Sequence, residues 1–309
     1  MNGQPTNKKR IATIILNYNN YGDTAECVDG ILDDDSLDII IVDNDSPDGS
    51  GERLKRAYSN RQNVTYIESG MNRGYAAGNN VGIRYALANL DDEYLCILNN
   101  DTLPEPRMFD RLAEHLESNP SCGIVGPVIL ENKPGFEIQS AGANIDLWRG
   151  DASPWHSGEL YRPSEEAPSV PYVSGACMMV RSRDIDKLGL IPECYFLFFE
   201  ETEWCLHAAR QGIGVACLWS TSLIHKGSAS VSKRGSLSSY LMVRNRALFE
   251  KRNASWPQLL FFKLYIVIRT YARHYLKGSD CMWEIAALRD GFNNRYCMAY
   301  SSLGGDRAE

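Results

Sequence analysis

Residues 11–128 predict an α/β fold, a parallel sheet with crossover helices, and three observations predict it. Short runs of apolar, mostly β-branched residues alternate with segments whose apolar residues recur every three or four positions, the pattern of strands joined by helices. The runs are apolar along their length, as in strands covered on both faces. Polar and glycine-bearing clusters stand directly after them, where sheets of this kind bind their ligands.

The strands are expected at 11–16, 39–43, 64–68, 94–98 and 123–128. Between them, 24–32, 51–58, 78–88 and 105–117 carry the spacing of amphipathic helices. After Pro127 the pattern changes: Gly, Pro, Ser and Trp become frequent over 131–171 and no clean period survives, which predicts a loop-rich insertion. A strand over 172–181, a helix over about 202–211 and a short strand over 213–218 follow, so a second α/β half closes over the first. The tail reads as two helices, 239–252 and 258–276, broken at Trp256-Pro257 because proline disfavours helix in the residue before it. The expected organisation is a polar tail over 1–10, a first half over 11–128, a second over 129–238 and a helical extension over 239–309.

The chain has 309 residues, 44% hydrophobic and 23% charged, enough for one large core or two joined ones, and this balance excludes intrinsic disorder. Its longest apolar stretch, 259–268, is interrupted by Lys263 and is short of the roughly 18–20 residues that span a bilayer. Residues before Ile11 are polar and the apolar run after it stops at Asn17, so no signal-peptide core is read and a cytoplasmic location is expected. Nine cysteines, an odd number with no C-x-x-C pair, argue against a disulfide framework or a structural zinc site and are read as buried thiols. The formal charge of -7 hides an asymmetry, since 226–277 carries eleven Lys and Arg against one acid, Glu250. Such a block attracts anionic lipid, nucleic acid or a phosphorylated ligand, unless it is simply a solvated helix face. Nucleic acid is not an expected partner, because the block lacks a reading motif and the rest of the chain is strongly acidic.

The polar clusters carry the chemistry. The first strand ends in Asn17-Tyr18-Asn19 and the second runs into Asp43-Asn44-Asp45-Ser46, placing carboxylates where they can accept bonds from a base or a ribose, although turn and cap chemistry uses the same residues. The third loop, 70–80, has glycines that let the backbone approach a ligand and a following helix that offers amide donors to an anion. The fourth strand delivers Asn99-Asn100-Asp101, an acid that can hold a divalent ion when a diphosphate supplies further oxygens, or that simply forms an Asx turn before Pro104. Farther on, 198–204 puts Glu200, Glu201 and Glu203 beside Trp204 at a helix start, where acids also complement the dipole. A carboxyl among aromatics there acquires a raised pKa and can act as a general base. His225 is a lone histidine after an apolar stretch, either a core residue or a metal ligand.

Taken in order, these segments resemble the family 2 glycosyltransferases of the GT-A fold over about 11–252. The likeness rests on the opening strand with its Asn, V-D-N-x-S-x-D-G-S at 42–50, N-x-G-[FY]-A-x-G-N-N at 72–80 and the N-N-D form of the D-x-D signature at 99–101. It continues with G-A-C-M at 175–178 and the F-x-E-[DE]-x-[DE]-[LW] box at 198–204. Members with these features look most like bacterial rhamnosyltransferases of surface-polysaccharide assembly. The resemblance implies a Rossmann-like mixed sheet flanked by helices, a nucleotide-sugar half over 11–128 and an acceptor half over 129–238. It places Asn17, Asp43, Asp45, Asn72, Gly74, Asn80, Asn99 and Asn100 around the donor, and Asp101 with His225 at a Mg²⁺ or Mn²⁺ ion. It further implies Lys226 and Arg244 near the diphosphate and Gly175, Ala176, Glu203 and Trp204 near the acceptor. Glu201, where the family more often has Asp, would be the base, with Glu200 or Glu203 as alternatives; Asn99 stands where the first Asp of D-x-D is commoner.

The activity so implied is inverting transfer of a sugar from a dTDP- or UDP-linked donor to a saccharide or lipid-linked acceptor. The apolar, basic segment 258–276 would bring the enzyme to a membrane surface as a peripheral protein. Two rival classes share parts of the pattern. A nicotinamide-dependent oxidoreductase needs a glycine fingerprint where Asn17-Tyr18-Asn19 stands, and a non-catalytic sugar-binding module has no use for the acidic box.

Overall fold

A computed structural model of the chain describes residues 9–227, 235–277 and 282–295. Its first part is the predicted alternation: β1 (Ile11–Asn17), α1 (Tyr21–Ile31), β2 (Leu37–Asp43), α2 (Ser50–Tyr58), β3 (Val64–Glu68), α3 (Tyr75–Asn89) and β4 (Tyr94–Asn99). These four strands are parallel, in the order β3-β2-β1-β4. α1 starts three residues before its apolar periodicity because Asn20 caps it, accepting from the backbone N–H of Asp23.

The sheet then turns mixed, as the family resemblance implied and as a purely parallel reading does not allow. After β5 (Thr102–Pro104), α4 (Met108–Ser118) and β6 (Cys122–Glu131), the insertion at 131–171 holds three short strands, β7 (Ile138–Ser140), β8 (Ala143–Asp146) and β9 (Asp151–Pro154). β8 and β9 pair with each other, and β7 adds to β6. Only part of 172–181 is strand: β10 (Cys177–Arg181) runs antiparallel between β4 and β6. Two short turns of helix, the second α5 (Ile185–Leu188), and then α6 (Glu200–Arg210) lead to β11 (Gly214–His225). β11 is twice the expected length; it is irregular between Leu218 and Ser222 and resumes beside β6 before pairing antiparallel with β5.

Alternate residues of the central strands feed two cores, which is why those runs are apolar along their length. Ile11, Ile15, Ile39, Ile41 and Leu98 pack beneath α1, α2 and α4, while Ala12, Ile14, Ile40, Val42 and Ile97 pack beneath α3, α5 and α6. The extension is α7 (Gly235–Asn253), α8 (Trp256–Lys277) and α9 (Met282–Phe292), the last not drawn from the sequence. α8 begins ahead of Pro257 because proline's missing N–H is harmless in a first turn. No helix among the described residues is long and apolar enough to cross a membrane. The seven described cysteines are free thiols, six of them buried; Cys281 and Cys297 lie outside the described residues.

Candidate active site

The C-terminal ends of β1, β2 and β4 form the floor of an open cleft lined by Leu16, Tyr18, Asn44, Asn72, Gly74, Tyr75, Asn99, Asn100, Phe196 and Leu197. Parallel register sets Asn17 beside Asp43 and Leu16 beside Asn99. Asn17 is fully buried; its Nδ2 donates to Asp43 Oδ1 (2.6 Å) and Ser50 Oγ (3.0 Å), and its Oδ1 accepts from Thr24 Oγ1 (2.8 Å). Asp43 also takes the Ser46 N–H at 3.0 Å. These two residues stiffen the loops that carry the cleft and are not part of its wall. Asp45 is exposed, with φ +61°, and is also outside the wall.

The third loop is shaped by one contact. Gly74 has φ +96°, and a Cβ there would sit 2.2 Å from the Phe196 carbonyl oxygen, so the close approach of the Phe196 segment requires glycine. Asn72 Oδ1 accepts from Asn44 Nδ2 (2.9 Å) and from the Gly74 N–H (3.0 Å), and the Tyr75 N–H donates to Phe196 O at 2.7 Å. Asn44, Tyr18 and Tyr75 could have been found from the motifs that contain them. Leu16 could have been found only as the last apolar residue of its strand, and Phe196 and Leu197 carry no local signal at all.

Beyond β4, Asn100 Nδ2 donates to Thr24 Oγ1 at 2.7 Å, and the chain turns back as β5. The β5–β11 pairing places His225 opposite Thr102, which brings its Nε2 to 3.2 Å from Oδ1 of the buried Asp101. Gln139 Oε1 lies 2.8 Å from His225 Nδ1. A ring that gives its Nδ1 hydrogen to Gln139 Oε1 would turn its Nε2 lone pair toward the carboxylate. Two lone-pair atoms about 3 Å apart match neighbouring ligands of an ion bound at roughly 2.0–2.1 Å, so this pair fits a divalent cation. Among the described residues no group of three or more His, Cys, Asp or Glu could hold a metal.

The acidic box lies across Gly175. A Cβ at Gly175 would stand 3.4 Å from the Tyr75 hydroxyl and 3.7 Å from Glu201 Cδ, so the donor cleft and the Glu201 carboxyl meet there. Tyr75 also donates to Gly175 O at 2.6 Å, and Ala176 O accepts from the Asn99 N–H at 2.9 Å. Glu201 lines a second hollow with Gly150, Asp151, Tyr172, Phe198, Met242 and Arg246. One oxygen each of Glu200 and Glu201 is buried without a hydrogen-bond partner. Burial pushes both carboxyls up, and Glu200 goes well above the usual range with the Glu201 charge adding to the effect. Burial and mutual repulsion thus act against two negative charges at this spot, and more strongly on Glu200 than on Glu201.

The loop ahead of this box is under backbone strain. Phe196, Phe198 and Phe199 have φ of +71°, +73° and +76°. Asn245, fully buried on α7, holds it by donating from Nδ2 to the carbonyls of Tyr195 (3.1 Å), Leu197 (2.6 Å) and Phe198 (2.9 Å).

Five further expected residues line neither hollow. Asn80 is spent behind the cleft, donating to Ile191 O at 2.8 Å and accepting its N–H at 3.1 Å. Glu203 is fully buried; burial raises its pKa, but bonds from Arg252 (2.7 Å), Tyr195 and Asn253 (2.7 Å) outweigh that and hold it low. Trp204 packs in the core and donates its indole N–H to Gly189 O at 3.0 Å. Arg244 is buried on α7, bonded to Tyr195 O and Asn245 Oδ1 (2.8 Å), and does not face a diphosphate. Lys226 is close to Asp101 through its backbone, whose N–H donates to Asp101 O at 2.9 Å, but its ammonium pairs with Asp23 (3.0 Å) and Glu26 (2.5 Å).

Comparison with known proteins agrees with this geometry. The sequence profile described as "Glycosyl transferase family 2" matches residues 13–189. A curated relative in Haloferax volcanii, "Low-salt glycan biosynthesis hexosyltransferase Agl10", is 29% identical over 257 residues, covering 79% of this chain and 76% of the relative. The Shigella flexneri "dTDP-rhamnosyl transferase RfbF" is 25% identical, covering 79% of this chain and 80% of its own. Among solved structures, GalNAc-T7 with UDP, GalNAc and Mn²⁺ superposes with a TM-score of 0.59 at 13% identity, over 82% of this chain and 54% of that one. The fold is the GT-A type.

Proposed function

The chain belongs to glycosyl transferase family 2, and we propose that this glycosyltransferase moves a sugar, rhamnose or a related hexose, from a dTDP- or UDP-linked donor with inversion at the anomeric carbon. The acceptor is a saccharide, free or carried on a lipid, in surface-polysaccharide or glycan assembly; with a lipid-carried acceptor the enzyme works as a peripheral protein at the inner face of the membrane. The names of the Haloferax and Shigella relatives support the sugar and pathway class. The observation that carries the mechanism is Glu201, whose Oε2 is buried without a partner and whose carboxyl meets Tyr75 of the donor cleft across Gly175.

In this reading the acceptor hydroxyl lies in the hollow beside Glu201. Its oxygen attacks the anomeric carbon as its proton passes to the Glu201 carboxylate, and the bond from that carbon to the β-phosphate oxygen breaks on the opposite side. The nucleoside diphosphate leaves with the bonding pair. Asp101 and His225 are the residues that would hold Mg²⁺ or Mn²⁺, with Gln139 fixing the imidazole. When bound there, such an ion supplies charge neutralisation at the diphosphate. Asn72, Gly74, Asn99 and Asn100 orient the donor in the cleft.

The test is Glu201→Gln, assayed for nucleotide affinity and for sugar transfer. Transfer should fall about 10²–10⁴-fold, the usual worth of a general base, while affinity for dTDP or UDP stays within about twofold. Wild-type turnover in this variant would refute the assignment.

A further inference from the structure

The basic extension has a face that the catalytic reading leaves unused. Along α8, Leu260, Leu264, Val267, Ile268, Tyr271 and Tyr275 are between 46% and 90% exposed. At 100° per residue they fall on one arc of the helix, opposite the buried Phe262, Ile266 and Thr270, and they run for about 22 Å. An apolar row of this length is not the scattered exposure of an ordinary surface. α8 has Lys263, Arg269, Arg273 and Lys277 and no acid. Lys263 stands at the margin of the row, with its Nζ 5.4 Å from the Phe292 ring centroid.

We propose that the outer face of α8 is a docking surface for an anionic lipid membrane, lying in the plane of the interface and presenting the Glu201 hollow to an acceptor carried on a lipid. Charge chooses between occupants. A second copy of the chain meeting this face symmetrically would bring two strongly basic segments together, whereas anionic headgroups neutralise them. The row supplies the apolar burial and Lys263 at its margin can keep its head in the headgroup layer, while Arg269 and Arg273 lie around the helix from the row, Arg273 held by Glu284 at 2.9 Å.

The position of the face relative to the chemistry supports the same partner. Phe261 of α8 meets Trp148 edge-on at 5.6 Å, and both are about half exposed. Trp148 belongs to the β8–β9 turn, whose next residues Gly150 and Asp151 line the Glu201 hollow. Arg246 ties the same turn down, donating to Arg149 O at 3.1 Å. The acceptor side of the active site is therefore one turn of hairpin away from the apolar face.

Membrane binding rests only on the surface, but the lipid-carried acceptor also rests on the transferase reading, so the two are measured separately. Flotation with phosphatidylcholine vesicles containing or lacking phosphatidylglycerol reads the first. The full chain should float with the anionic vesicles, weakly or not at all with neutral ones, and less at high salt. The double change Leu264→Glu with Ile268→Glu should cut flotation at least tenfold while leaving the melting temperature and the dTDP or UDP thermal shift unchanged. It should also keep transfer to a water-soluble saccharide and lose transfer to a vesicle-borne one. Failure of the wild type to float, or equal flotation of the double variant, overturns the proposal. So does light scattering that shows a wild-type dimer converted to a monomer by the same changes, since that makes the second copy the occupant. Loss of turnover with flotation intact would instead count against the catalytic reading.

Discussion

Asn245→Ala tests whether the strained loop ahead of the acidic box is held or merely packed. Asn245 gives its two amide hydrogens to three carbonyls within 3.1 Å, a contribution of about 2–3 kcal/mol at roughly 1 kcal/mol per net bond plus the cost of stranding buried acceptors. Against it stand three phenylalanines with left-handed backbone, costing about 1 kcal/mol or more each. The two sums are of one size, so removing the latch lets the loop relax. Phe196 and Leu197 line the donor cleft, and Glu200 and Glu201 follow directly on the loop. A displacement near 1 Å costs about 10²-fold in rate, and that is the expected fall in kcat, with a rise in donor KM. The melting temperature should drop by at most about 3–5 °C, because relief of the backbone strain offsets part of the lost bonding. Asn245→Asp, which keeps the shape and loses the donors, should do no better than alanine. Steady-state kinetics beside a melting curve read all of this. A variant that loses the expected stability but keeps kcat and KM would refute the positioning role and leave Asn245 a packing residue.

Two further outcomes are expected. His225→Ala should raise the Mn²⁺ concentration for half-maximal activity at least tenfold, and Gln139→Leu should raise it by less, because Gln139 acts only by orienting the ring; a metal titration in which Gln139→Leu exceeds His225→Ala would contradict this order. Glu250 is fully buried, and burial pushes its carboxyl up to about 8, so the folded state holds a proton that the unfolded chain releases above the ordinary value of 4.5. Stability is therefore lost as pH rises from about 4.5 to about 8, by an amount of the order of 4 kcal/mol, and Glu250→Gln should flatten that slope. Parallel melting curves for the two proteins between pH 6 and pH 9 would count against it.

β1, β2 and β4 were legible because they are covered on both faces and so read as near-unbroken apolar runs, while the partly buried edge strand β3 still came out at its observed limits. β7, β8 and β9 were not legible, since strands of three or four partly exposed residues carry no period. β11 was read at half its length because Ser220, Thr221 and Ser222 interrupt the apolar pattern at the irregular stretch. At the site, motif spacing marked Asn72, Gly74, Asn99, Asn100 and Glu201, which the structure brings to two adjoining hollows. It could not separate those from Asn80, Glu203 and Trp204, which occupy the same motifs but point into the protein, because a polar residue serving as internal scaffold has the same signature as one serving a ligand. Gln139 and Asn245 lay outside every motif; each acts only through contacts made by tertiary folding, His225 for one and the Phe196 loop for the other.

The insertion of β10 between β4 and β6 has a consequence for synthesis. β4 and β6 are interior strands of the finished sheet, yet they emerge from the ribosome well before residues 177–181 exist. At roughly 5–20 residues per second the gap lasts for seconds, during which β4 offers a fully apolar edge with free backbone donors and acceptors. Lys226 reaches Asp23 and Glu26 only later still, across sequence separations of 203 and 200 residues. The centre of the mature sheet is thus, in the nascent chain, an open margin until β10 arrives to cover it.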